Sequence, residues 1–122
     1  MDLERAKESL KAAQLCLDAG FENSASSRAY YAMFQCAQVA LTRAGVSRTT
    51  WSHPALQAAF ATELVHRRKA YPLVFRDYLS AGLAVRLAAD YGRAGVSHKV
   101  AGRQVRRATS FFRAVEEGEG HE

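Results

Sequence analysis

The stretch NSASSRAYYAMFQCAQVALTRA, residues 23–44, decides the fold. Asn23 or Ser24 can cap a helix start, and Gly45 stands where a helix running to about Ala44 must stop. Neither Pro nor Gly interrupts the span. Tyr30, Tyr31, Met33, Phe34, Ala37 and Leu41 make it apolar on more than one side. A helix of that kind belongs at the centre of a bundle or at an interface.

Working outward, the flanks are helical too. Leu3, Ala6, Leu10, Ala13 and Leu17 step by three and four, predicting a first helix from about Asp2 to Ala19 with Gly20 as its stop. Residues 46–51 read as a loop. Ser52 then caps a third helix, with Pro54 in its first turn, Leu56, Phe60 and Leu64 on one face, and the basic run Arg67-Arg68-Lys69 closing it. A fourth helix is predicted from near Pro72 to about Tyr91, and a fifth, capped by Ser97, to about Glu117. The expected architecture is all-α, an antiparallel bundle of four to five helices. The 122 residues make one domain over 1–117, followed by a frayed acidic tail over 118–122.

Composition agrees: 48% hydrophobic and 24% charged residues is a globular balance, and Pro occurs only twice. The net charge of +5 conceals an uneven distribution. Residues 1–22 carry five acids against three bases, and residues 114–122 carry four acids. The body between them holds 14 bases and only Glu63, Asp77 and Asp90, a net of +11.

No apolar run approaches membrane-spanning length, and the charged N-terminus is unlike a signal peptide. Cys16 and Cys36 lack CxxC spacing and read as small buried residues in a reducing compartment. The histidines are isolated, and no Gly-rich phosphate loop is present. A cytoplasmic protein without metal or other cofactor is expected.

At 100° per residue, Ala101, Val105, Ala108, Phe112 and Val115 of the fifth helix fall within one arc of roughly 80°. Lys99, Arg103, Arg106, Arg107 and Arg113 lie opposite, with no acid between Asp90 and Glu116. Three readings are open for this ridge: a solvated face, a phosphate-binding surface, or a dock for an acidic partner.

Three motifs carry a resemblance: Ser27-Arg28-Ala29-Tyr30-Tyr31-Ala32-Met33-Phe34, the pair Ser52-His53, and Arg86-Leu87-Ala88-Ala89-Asp90-Tyr91. In this order and spacing they resemble the HEPN domain family of small prokaryotic helical bundles, over roughly residues 3–116. The resemblance implies a homodimer with a cleft between late helices of the two subunits. It also implies a minimal nucleotidyltransferase as partner in a toxin–antitoxin or defence system. Active members are metal-independent ribonucleases with an Arg-x(4–6)-His motif; others bind nucleotide or RNA without it.

Metal-free RNA cleavage needs a group near neutral pKa for proton transfer and a cation for the phosphorane-like transition state. Arg48/His53 and Arg93/His98 both match the spacing, but with 13 Arg and four His roughly one chance match is expected. At the family's expected place, five residues after Arg86, stands Tyr91, and a tyrosine is a poor base at neutral pH. The candidates for catalysis are Arg86, Asp90, Arg93 and His98. Those for nucleotide or RNA binding are Arg28, Tyr31, Tyr91, Lys99, Arg103, Arg106 and Arg107. Arg28 and Asp90 are expected to pair, as a structural salt bridge or as a polar pocket flanked by Tyr31 and Tyr91. His53 is expected to be hydrogen-bonded locally, Tyr30 and Phe34 to be core, and Trp51 to pin its loop or meet a second subunit. The function expected is a nucleotide- or RNA-associated module. An active ribonuclease toxin and a subunit docking an acidic partner are the alternatives.

Overall fold

The long second helix, α2 (Glu22–Arg43), runs through the middle of the molecule, and every other helix packs against it. In a computed structural model that describes residues 3–118, its neighbours are α1 (Glu4–Asp18), α3 (His53–Ala59), α4 (Val74–Tyr91) and α5 (His98–Gly118). Ala25, Ala29, Ala32, Cys36 and Ala40 are buried on α2, so its backbone lets neighbours approach closely. Over the described residues the chain is all-helical, as the periodicity requires. The acidic tail expected from residue 118 lies outside the described residues beyond Gly118.

Two boundaries differ from expectation for identifiable reasons. α2 begins two to three residues early, after Phe21, with no side-chain cap. Asn23 is not the cap; its Oδ1 accepts the Val96 N–H at 2.9 Å and ties down the α4–α5 loop. The third helix is not uniformly α: after Ala59 it continues as a π-helical stretch, Phe60–Arg67. Hydrogen bonds stepping by five residues bring Phe60 and Val65 to one face, and both are buried together with Leu64. Ser52 does cap this helix, accepting the Ala55 N–H, and Ser97 Oγ accepts the Val100 N–H at the start of α5.

α4 and α5 run antiparallel. Phe75 stacks on Phe111 at 4.6 Å, the Arg107 guanidinium lies 5.0 Å from the Tyr78 ring centroid, and Gly82 faces Gln104. Phe60 joins the same aromatic cluster, 5.3 Å from Phe111, tying the π-helical stretch to α5. Each such ring pair contributes about 0.5–1.5 kcal/mol beyond area burial. The predicted apolar arc of α5 is buried throughout, and it is wider than its five residues: Gly102, Gln104 and Phe111 are buried as well. Cys36 is fully buried, whereas Cys16 is only partly so.

Candidate functional site

The three sequence motifs meet at one place, where α2, the start of α3 and the last turns of α4 converge. The reason is a matched helical step. Ser27 and Tyr31 are four residues apart on α2, and Arg86 and Asp90 are four apart on α4, so each pair lies along one helix face. The helices run antiparallel there. Ser27 Oγ donates to Asp90 Oδ1 at 2.6 Å, and one turn along the Arg86 guanidinium lies 5.0 Å from the Tyr31 ring centroid.

Asp90 joins these two levels. Its Oδ2 is 3.2 Å from Arg86 Nε, with side-chain exposures of 31% and 16%. The contact is an ion pair by proximity, since the Nε–H is not aligned for a hydrogen bond. The expected Arg28–Asp90 pair is not formed: Asp90 is occupied by Arg86 and Ser27. Arg28 instead lies 5.5 Å from the Tyr31 centroid, exposed and without an acidic partner among the described residues. Two guanidinium groups therefore attend one aromatic ring, one held by Asp90 and one exposed to solvent.

His53 completes the cluster, and its bond is not local. Nδ1 lies 2.7 Å from the hydroxyl of Tyr30, a residue 23 positions away on α2. The ring also meets Phe34 edge-on at 5.0 Å. Loss of water, and then the positive charge of Arg86, lower the His53 pKa below its usual value, so the ring is neutral at pH 7. Burial pushes the Tyr30 hydroxyl up. Tyr30 is thus core, as expected, but its hydroxyl is a polar link between α2 and α3. The Ser52-His53 motif was the sequence signal for this link, and a helical wheel of α2 alone could not reveal it.

Gly82 explains why α2 and α4 come so close. A Cβ on Gly82 would lie 2.8 Å from Met33 Cε and 3.1 Å from Tyr30 Cδ1. The missing side chain lets the α4 backbone rest on the Tyr30 ring.

The other candidates lie apart from this cluster. Arg93 is exposed in the α4–α5 loop, and His98 Nδ1 is 3.5 Å from Glu22 Oε1, beside the start of α2. Neither shares a partner with Arg86 or Asp90. Tyr91 follows Asp90 but points outward, 77% exposed. Lys99, Arg103 and Arg106 are exposed on α5, while Arg107 is half-buried against Tyr78. Trp51 packs on the core, with the Arg48 guanidinium 4.8 Å from its ring.

The arrangement can hold an anion beside an aromatic surface: Arg28 and Arg86 supply two positive charges against one from Asp90. The neutral His53 imidazole sits within the electrostatic reach of Arg86. No three His, Cys, Asp or Glu side chains converge to form a metal site among the described residues. No helix among them is long and apolar enough to cross a membrane.

Comparison with known proteins places the sequence in a family. The sequence model of the HEPN domain matches residues 2–118. A UPF0332 protein of Gloeobacter violaceus is 32% identical over 92 residues, covering 75% of this chain and 71% of the relative.

Proposed function

The chain belongs to the HEPN domain family, and from that premise we propose that it is a nucleotide- or RNA-associated module that acts as a homodimer. Its setting in this reading is the HEPN half of a nucleotidyltransferase-linked toxin–antitoxin or defence pair. The observation that carries the reading is the pair of guanidinium groups, Arg28 and Arg86, attending the Tyr31 ring. Phosphate asks for the cations and a base asks for the ring. Asp90 and Ser27 hold the Arg86 end in place, so less side-chain freedom is lost on binding.

Binding of a labelled mononucleotide and of a short oligouridylate, compared among wild type, Arg28→Gln and Tyr31→Ala, tests this. Each substitution is expected to weaken binding several-fold, since stacking alone contributes about 1–3 kcal/mol per base. Unchanged binding in both variants would remove the site from consideration. The same preparations, incubated with RNA in the presence of EDTA, test the ribonuclease alternative. Cleavage lost in Arg86→Ala would favour it, and intact RNA with wild type would end it.

A further inference from the structure

The strongest feature that the Tyr31 site does not absorb is on α5. Lys99, Arg103, Arg106, Ser110 and Arg113 are all exposed, and they follow the spacing i, i+4, i+7, i+11, i+14. At 100° and 1.5 Å per residue, that spacing draws a straight stripe about 80° wide and about 21 Å long. Its four cations have no acidic partner among the described residues. By contrast, Arg67, Arg76 and Arg86 each pair with an acid on their own helix. Arg107, which falls off the stripe, is the ridge residue turned aside onto Tyr78. One turn beyond Arg113 the sign reverses at Glu116 and Glu117, so the stripe has a defined end.

We infer that this α5 stripe is a second binding surface, which tracks the phosphate backbone of a single RNA strand. The inference rests on the RNA-association reading and extends it from one nucleotide to a strand. Two physical arguments select this ligand. Unpaired exposed cations in a row repel one another, and a row of phosphates relieves that repulsion while releasing condensed counterions. A protein partner would ask for an apolar or aromatic anchor within the contact. Between Lys99 and Arg113 the exposed positions hold only cations and Ser110, whose hydroxyl can donate to a phosphate oxygen in the longest gap between charges. The length suits a run of roughly four nucleotides, the low end of known single-strand site sizes.

The stripe is also separate from the Tyr31 site. It faces away from the buried arc with which α5 meets α2, whereas Arg28 and Tyr31 belong to α2 itself.

Fluorescence anisotropy with a ten-residue oligouridylate, measured across a salt series, is the test. Four contacts predict a slope of log K against log salt of about −3 for wild type. Arg103→Gln/Arg106→Gln is expected to halve that slope and weaken binding about tenfold near physiological salt. Because both side chains are exposed and unpaired, its thermal unfolding should match wild type. Arg67→Gln/Arg76→Gln removes the same net charge elsewhere and is expected to leave the slope unchanged. Equal weakening by the two double variants would overturn the inference, because binding would then follow net charge alone. So would equally tight binding of a polyglutamate of the same length. Mononucleotide binding lost in Tyr31→Ala but kept in Arg103→Gln/Arg106→Gln separates the two surfaces. A strand bound with a stripe-dependent slope, with no mononucleotide binding, would sink the Tyr31 reading and support the stripe.

Discussion

The Ser27 hydroxyl and the Asp90 carboxylate are 2.6 Å apart across the α2–α4 seam, and that carboxylate also faces Arg86 Nε at 3.2 Å. One acid thus answers a neutral donor on one helix and a cation on its own. Ser27→Ala should cost about 1–2 kcal/mol, as for a hydrogen bond to a charged group that is only partly buried. Asp90→Ala should cost more, about 2–3 kcal/mol, because it leaves Arg86 mostly buried and uncompensated. In the double variant the two costs should not add, since both act through one carboxylate. Urea unfolding of the four proteins gives the coupling directly, and strict additivity would mean that the seam bond contributes nothing.

The His53 pKa is lowered in the fold, which fixes the sign of a pH effect. Between the folded and unfolded values the unfolded chain binds more protons. This contribution to stability is therefore complete above the ordinary histidine value of about 6.5, and is lost as pH falls through the lower folded value. Arg86→Gln should move the His53 pKa part of the way back up, because loss of water is the larger cause and remains. Histidine ring resonances followed by NMR titration check both statements. A His53 value at or above 6.5 in wild type would contradict them.

Gly82 is expected to tolerate no branched side chain. Gly82→Val should lower stability by about 2 kcal/mol through overpacking against Met33 and Tyr30. Gly82→Ala gains about 1 kcal/mol of helix propensity, so its net loss should be smaller. The informative readout is the NMR signal of His53. If the Tyr30 ring is displaced, its hydroxyl leaves Nδ1 and the imidazole titration changes in the same variant. A Gly82→Val protein as stable as wild type would show that the seam is looser than 2.8 Å implies.

The two thiols should behave differently. Burial pushes the Cys36 thiol up to about 12, so it stays protonated and inaccessible at pH 8. Iodoacetamide under native conditions should therefore add once, at the partly exposed Cys16, and a second time only in denaturant. Mass spectrometry of the native reaction decides it, and early alkylation of Cys36 would show that the core opens readily.

Helix number, order and most buried positions were legible in the sequence because they depend on period and on stop signals, which are local. Ser52, Ser97, Gly20 and Gly45 mark boundaries by chemistry that acts within a few residues. The π-helical widening at Phe60 was not legible, since it follows from fitting Phe60, Leu64 and Val65 against α2, α4 and α5 together. The role of Asn23 was hidden for the same reason: its partner, Val96, is 73 residues away. In the candidate site, the motifs named the right helices but not the pairing. The adjacency of α2 and α4 suggested Arg28 for Asp90, whereas the four-residue step within α4 brings Arg86 to it and the α2–α4 register brings Ser27.

The central position of α2 also bears on the order in which the molecule can assemble. α4 and α5 share few contacts apart from those at Phe75, Tyr78 and Gly82, whereas each meets α2 along much of its length. The outer helices therefore cannot form a stable pair without α2. During synthesis, however, α1 and α2 emerge first and can close as a hairpin. That hairpin would present a finished template to every later segment. Transition-state φ-values should accordingly be highest for buried α2 and α1 positions such as Ala29 and Ala13, and lowest on the outward side of α4.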